Sequence, residues 1–422
     1  MLDIKLIREE PNKVKEDLKR RPGFDVKIVD AVLKADEAWK SAKYELDKLK
    51  AEKNKESMAI SQLKKDKKDI KPQLEKVKKV AEKIDKKDLE LKELETKRDN
   101  ILIKIPNILD KEVPLGADDE ENVQIKLQGK KPRYDFGIKD HRVLCEINNW
   151  LDLDIAAKHS GARFYYLRGE LVMLQNALIN YTLDKLNKKG FTPIEVPPML
   201  RAESLGKSVS LEDFQEAIYG IDGEDLCLIG TSEHALALLH ADEKISHKNL
   251  PLRYCSLSQC FRKEAGVTKD SKGIFRVHNF NKIEQFVFCK PKDSDKILNE
   301  LISNAEEIFQ DLELHYRIVD ICSGDIGSFA SRKFDLEAYL PSQDKYREMV
   351  SASNYRDYGA RRLNCRYQND KGELEYVNTL NSTAIALSRL LIALLEQHQT
   401  KNGNVKIPKV LQKYFGRESL KE

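Results

Sequence analysis

The chain has 422 residues, 41% of them hydrophobic, which is enough for two or three domains of about 150 residues with a sizeable core and excludes a short peptide or a disordered tail. Its 74 Lys and Arg stand against 70 Asp and Glu, so the formal net charge is only +4 and the average declares no nucleic-acid partner. That average conceals an asymmetry: residues 1–110 carry 30 basic and 24 acidic side chains, leaving 44 and 46 for residues 111–422, so all the positive excess lies in the first quarter.

The first residues, MLDIKLIREEP, hold charges at nearly every third position and lack the apolar core of a signal peptide. Residues 41–100 then contain 33 charged side chains, no glycine and a single proline, Pro72, a composition shared by long solvated helices and disorder. Periodicity decides for helices. Val32, Ala35, Trp39, Ala42, Leu46 and Leu49 alternate spacings of 3 and 4, and the rhythm returns at Leu74, Val77, Ala81, Ile84, Leu91, Leu94 and Ile101, with Asp88 and Arg98 as polar interruptions. The pattern predicts an antiparallel coiled-coil hairpin over about 28–104, turning near 57–71, each helix roughly 45 Å long at ~1.5 Å per residue. Periodicity alone does not tell a binding arm from a spacer or a dimerisation rod.

Pro106 ends the hairpin, and Pro114, Gly116 and an acidic cluster through Glu121 extend the break, predicting domains at 1–110 and 111–422. Beyond it come short β-branched and aromatic runs, such as Ile283 to Cys289, with helical stretches near 169–189, 292–311 and 382–398. Strands and helices do not alternate regularly, so the expected class is α+β on an antiparallel sheet. Seven cysteines without a C-x-x-C pair argue against disulfides and zinc, and Cys255 and Cys260 read as buried thiols. The apolar stretch from Ala384 to Leu395 is broken by Ser388 and Arg389, short of the roughly 18 residues a membrane span needs. A cytoplasmic location is expected. Neither G-x-x-x-x-G-K-[ST] nor G-x-G-x-x-G occurs, so any ATP site lacks a P-loop and a dinucleotide fold.

The densest constellation is Phe261-Arg262-Lys263-Glu264-Ala265-Gly266, a polar loop through Gly273, then Phe275-Arg276-Val277-His278-Asn279-Phe280-Asn281-Lys282-Ile283-Glu284. Two strands joined by that loop would bring Arg262 and Glu284 together on one sheet face. Arginines on a sheet floor suit a phosphate chain, because guanidinium presents a planar fork of donors.

Taken together these residues resemble motif 2 of the class II aminoacyl-tRNA synthetases, in the form found in the seryl-tRNA synthetase family. Gly190-Phe191-Thr192-Pro193-Ile194-Glu195-Val196-Pro197-Pro198 is similar to motif 1, and Asn381-Ser382-Thr383-Ala384-Ile385-Ala386-Leu387-Ser388-Arg389 to motif 3. In the latter, alanines and Ser-Arg replace the general glycines and Glu-Arg, as in the seryl branch. Gly230-Thr231-Ser232-Glu233-His234, Lys333-Phe334-Asp335-Leu336-Glu337, Glu348-Met349-Val350-Ser351-Ala352-Ser353-Asn354 and Ala360-Arg361-Arg362-Leu363-Asn364 sharpen the resemblance, which covers essentially the whole chain.

The resemblance implies an ATP-dependent ligase that activates L-serine and charges tRNA-Ser, with tRNA-Sec as an additional acceptor to consider. It assigns catalysis to Arg262, Arg276 and Arg389, with Arg262 between the α-phosphate and the serine carboxylate. ATP would be held by Arg262, Glu264, Val277, His278, Asn279, Phe280, Glu348, Met349, Val350, Ser351 and Arg389. Serine would be held by Thr231, Ser232, Glu233, Arg262, Glu284, Asn381 and Thr383. Mg²⁺ would sit on Glu348 and Ser351, and no zinc is expected. His234 and His278 read as structural, since a carboxylate nucleophile with a reference pKa of about 3.5 needs no base. The hairpin would grip tRNA through Lys64, Lys65, Lys67, Lys68, Lys71, Lys76, Lys78 and Lys79, and motif 1 would build a homodimer. The competing reading is a synthetase-like ligase that loads an amino acid onto a carrier protein; such paralogues lack the long arm. A scaffold with an inactive synthetase-like domain is disfavoured by Arg262, Glu284, Glu348 and Arg389 occurring together.

Overall fold

A computed structural model describes residues 1–209, 215–264 and 273–421; the lysine-bearing loop expected at 265–272 lies outside the described residues. Chain contacts divide the molecule into Met1–Ile108 and Leu109–Glu422.

In the first unit, Asp3 caps α1 (Ile4–Glu9) by accepting from the Lys5 amide at 2.8 Å, and Pro11 opens α2 (Pro11–Leu18), where its missing N–H costs nothing. The hairpin is α3 (Ile28–Lys65) and α4 (Lys71–Leu102), joined by the turn 66–70 with Lys67 in the left-handed region at φ 55°. Leu46, Val80 and Ile84 form its buried seam, flanked by Leu49 and Leu91. Leu74, expected on the seam, is 48% exposed near the tip of the hairpin.

Arg98, read above as an interruption, is the reverse. It is buried beside Asp36, whose side chain is only 1% exposed. Arg8 of α1 donates through Nε and Nη2 to both oxygens of Asp36 at 2.7 Å, Lys40 adds a contact at 3.2 Å, and the Arg98 guanidinium lies 4.8 Å from the Trp39 ring centre. Burial raises the Asp36 carboxyl, but its bonds to Arg8 and Lys40 outweigh that and hold it below the usual carboxylate range. Three helices are thus pinned at the root of the hairpin by one carboxylate. Asp36→Asn would leave three cations facing a neutral amide. The expected loss is roughly 3 kcal/mol, read as earlier melting of the helical signal; a melt unchanged within error would show the pairing to be incidental.

The second unit is built on a sheet. In chain order its main elements are β1 (Val123–Gln128), α5 (His141–Asn148), α6 (Glu170–Lys188), β2 (Thr192–Pro193), β3 (Leu252–Phe261), β4 (Asn279–Cys289), α7 (Ser294–Asp311), β5 (Tyr316–Asp320), β6 (Arg332–Leu340), β7 (Lys345–Asn354), β8 (Asn378–Ala386) and α8 (Leu387–Gln397). Among the described residues the sheet has eight strands in the order β1-β5-β6-β7-β8-β4-β3-β2, antiparallel except where β2 meets β3. The α+β antiparallel expectation holds. β8 is buried at all nine positions, as a central strand between packed layers must be. Helix α7 lies against β7 and β8, and α8 against β6 and β4, enclosing a core that includes Leu301, Ile308, Leu336, Leu380 and Leu391.

Two expected boundaries move. The helix expected from 382 begins at Leu387, because residues 382–386 are still paired with β4 as far as Ala386 opposite Lys282. The helix expected from 292 begins at Ser294, after one 3₁₀ turn over Pro291–Asp293. All seven cysteines are free thiols, with Cys255 and Cys260 buried. Among the described residues no helix is long and apolar enough to cross a membrane.

Candidate active site

The centre of the sheet floors an open cavity of about 410 Å³, reached by residues from β4, β6, β7, β8, the start of α8, the segment 325–330 and Arg262 just beyond β3. At one end the register sets Thr383 of β8 opposite Glu284 of β4. Thr383 Oγ1 donates to Glu284 Oε2 at 3.4 Å, and Asn381 Nδ2 donates to Glu284 Oε1 at 3.3 Å and to Glu233 Oε2 at 2.8 Å. One amide therefore bridges two carboxylates. Glu284 is fully buried and ion-paired with Lys282. Glu233 opens a single helical turn, Glu233–Leu238, and its amide donates to Thr231 Oγ1 at 3.2 Å, which fixes the turn locally. Tyr355, just past the end of β7, donates from its hydroxyl to Glu233 Oε1 at 2.6 Å.

The other end is cationic and aromatic. Arg262, one residue beyond β3, donates from Nε to the Gly230 carbonyl at 3.2 Å and lies 5.4 Å from the Phe280 ring centre, so it borders both ends. Arg276 Nη1 donates to Glu264 Oε2 at 3.0 Å. Arg389, on the first turn of α8, donates to the Glu348 carbonyl at 3.0 Å, pairs with its carboxylate at 3.4 Å and sits 4.8 Å over Phe275. That segment is anchored at Gly273, which has φ +77° and whose added Cβ would come within 2.1 Å of His141 Nε2.

Bulges set which side chains face the cavity. Glu348 and Ser351 are three residues apart, which on a regular strand puts them on opposite faces. The pairing shifts between Leu336 opposite Val350 and Glu337 opposite Glu348, leaving Met349 extra, and both Glu348 and Ser351 reach the lining. A second shift, between Thr383 and Ile385, leaves Ala384 extra and lets Asn381, Thr383 and Ala386 share the cavity.

Burial, reinforced by the charge of Glu284, raises the Glu233 carboxyl to about 7 against the pull of Lys282 and Arg262. At Glu348 withdrawal from water also raises the carboxyl, but Arg389, Lys333 and Arg262 prevail and hold it at about 2. Asp335 is raised to about 7 by burial, with Lys333 opposing and Glu348 adding. His234 is lowered to about 3, by burial first and then by Arg262 and Lys282, so the ring is neutral at physiological pH.

The profile of the "Seryl-tRNA synthetase N-terminal domain" matches residues 1–109, and that of the "tRNA synthetase class II core domain (G, H, P, S and T)" matches residues 217–398. The serine–tRNA ligase of Pyrococcus horikoshii is 46% identical over 99% of this chain and 96% of its own length. That of Methanoregula boonei is 46% identical over 98% and 99%. The chain belongs to the seryl-tRNA synthetase family. Its fold matches the crystal structure of seryl-tRNA synthetase from P. horikoshii complexed with ATP, with a TM-score of 0.92 at 45% identity over 100% of this chain and 99% of that one. It also matches the cytoplasmic serine–tRNA ligase of Naegleria fowleri in complex with AMP, with a TM-score of 0.87 at 36% identity over 100% and 98%.

Within this seryl-tRNA synthetase fold, Arg262, Arg276, Arg389, Glu264, Val277, Phe280, Glu348, Met349, Ser351, Thr231, Glu233, Asn381 and Thr383 line the cavity, and Glu284 touches it through Asn381 and Thr383. Four expected side chains do not line it. Val350 packs into the core and Ser232 is fully buried, 3.5 Å from the Ser256 carbonyl. His278 stacks on Phe164 at 5.0 Å with Nδ1 2.8 Å from the Tyr219 hydroxyl, and Asn279 pairs with Phe261 at the strand end. Sequence reasoning missed Tyr355 and the segment 325–330, and gave Phe275, Lys282 and Lys333 no role although all three stood in quoted motifs. Because His234 titrates far below neutrality, His234→Gln is expected to lower thermal stability while leaving the pH profile of activity between 5.5 and 7.5 unmoved. A displaced acid limb would make that ring a participant.

Proposed function

We propose that the chain activates L-serine with ATP and passes the seryl group to the 3′-terminal adenosine of tRNA-Ser. The observation that carries this reading is the two-ended cavity: paired carboxylates bridged by Asn381 at one end, Arg276 and Arg389 at the other, and Arg262 between them. In the first step an oxygen of the serine carboxylate attacks the α-phosphorus, the bond to the bridging oxygen of the β-phosphate breaks, and pyrophosphate leaves. No proton moves, so alignment and charge stabilisation supply the acceleration. Arg262 would clamp the serine carboxylate and the α-phosphate together, neutralising both in the crowded geometry of in-line attack. Arg276 and Arg389 would take the outer phosphates, Phe280 would stack on adenine, and Glu264 would accept from its amino group.

Glu233 and Glu284 would receive the serine ammonium and hydroxyl, with Thr383, Asn381 and Thr231 closing the small end. A site whose polar groups are satisfied only by that hydroxyl disfavours alanine by ~10⁴ or more. Among the described residues no three His, Cys, Asp or Glu side chains converge on a metal cage. Glu348, kept ionised, and Ser351 fit Mg²⁺, which reaches protein through one or two oxygen ligands and keeps phosphate and water for the rest. Bound there, Mg²⁺ would shield the phosphate charge.

In the same reading the hairpin α3–α4 is the tRNA-binding arm of a domain over residues 1–110, its tip lysines meeting phosphates, with charging that weakens as salt rises. The motif 1 strand β2 with α6 would form the twofold interface of a homodimer acting in the cytoplasm. Arg262→Ala is expected to lower serine-dependent ATP–pyrophosphate exchange by about 10³-fold or more, and unchanged turnover would refute the assignment. Deleting residues 30–104 is expected to spare exchange and abolish charging of tRNA-Ser. Retained charging would reduce the arm to a spacer, and exchange by the intact chain without any charging would favour the carrier-protein ligase.

A further inference from the structure

We propose that Tyr355 is a positioning residue for serine recognition, its hydroxyl fixing the Glu233 carboxylate in the ionised, ammonium-facing orientation. The inference rests on the reading of Glu233 as a serine ligand and adds a residue that neither the motifs nor the strand spacing point to.

The geometry is specific. Both Glu233 oxygens carry a protein donor, Oε1 from Tyr355 at 2.6 Å and Oε2 from Asn381 at 2.8 Å. Asn381 is shared with Glu284, so it cannot by itself decide how Glu233 is turned. Tyr355 donates to Glu233, and it is well held: its amide donates to the Thr379 carbonyl at 3.0 Å, and its ring packs edge-on to Phe329 at 5.7 Å. A hydroxyl donating to a carboxylate favours the charged form. Around Glu233 the other contributors are the negative Glu284 and positive Lys282 from β4, Arg262 beyond β3, the neutral amide of Asn381 on β8 and, on its own turn, the neutral ring of His234. Burial and Glu284 push the Glu233 carboxyl up; Lys282, Tyr355 and Arg262 push it down. Tyr355 itself, raised well above its ordinary value by burial and by Glu233, keeps its proton and is a permanent donor.

Removing only the hydroxyl, as in Tyr355→Phe, preserves the ring and its packing on Phe329. Serine-dependent ATP–pyrophosphate exchange is then measured from pH 5.5 to 9 with the full chain. The expected result is a serine KM about 10- to 100-fold higher at pH 7, with kcat and the KM for ATP within about threefold of the parent. The acid limb of kcat/KM for serine moves about one unit to higher pH, and the defect shrinks at pH 9, where Glu233 is ionised in both proteins. Glu233→Gln, which cannot ionise, is expected to show no such pH-dependent recovery, and Tyr355→Phe added to it costs little more. An unmoved acid limb, or a loss equal at every pH, overturns the positioning role. Absence of serine-dependent exchange in the unaltered chain would instead overturn the reading of the site as a serine-activating centre.

Discussion

Two carboxylates held under one amide set the terms for the rest of the cavity. Glu233 and Glu284 would repel each other and lose hydration, and neither cost is met by the other. Lys282 answers Glu284 from two residues away on β4, Asn381 ties the pair together, and Tyr355 supplies Glu233 with a donor of its own. Each of these partners comes from a different place in the chain, and only a sheet with β8 fully buried between β7 and β4 brings them within hydrogen-bond reach. The order of strands is therefore a requirement of the charge arrangement as much as a route to a core.

The cations divide their labour in the same way. Lys333 lies beside Asp335 and Arg389 beside Glu348, so the cationic end of the cavity is neither bare positive surface nor neutral. Such pairs keep guanidinium and ammonium groups aimed in the absence of nucleotide, which reduces the reorganisation left for the reacting complex. A nearly neutral chain can in this way present a strongly polar interior.

Much of this was legible before the fold was known, because motif residues sit on strand ends whose pairing follows from alternation. Alternation placed Arg262 and Glu284 on one face, whereas Asn381, Thr383, Arg276 and Arg389 came from the resemblance to motifs 2 and 3. What stayed hidden has physical causes. Glu348 and Ser351 came from the resemblance, but that they share a face was not legible, because their spacing is wrong for one face and only a bulge at Met349 reconciles them. Tyr355 acts across the sheet from Glu233, 122 positions earlier in the chain, with no local pattern to mark it. Arg98 interrupts an apolar repeat when only apolar residues are counted, whereas the buried Asp36 makes a charge the right occupant of that seam. Val350 and Ser232 shared runs with lining residues, but Val350 points to the opposite face of its strand from Ser351, and Ser232, at the turn before Glu233, is fully buried beside the Ser256 carbonyl.

Gly273 carries a consequence for how the gene can vary. Its left-handed backbone and the imidazole edge of His141 beside it leave no volume for even a methyl group. Every codon change that alters this residue adds a Cβ, so the position has no conservative neighbour in sequence space. Its intolerance is steric rather than chemical, and a smaller residue at 141 would relieve only the contact, leaving the left-handed backbone that still favours glycine.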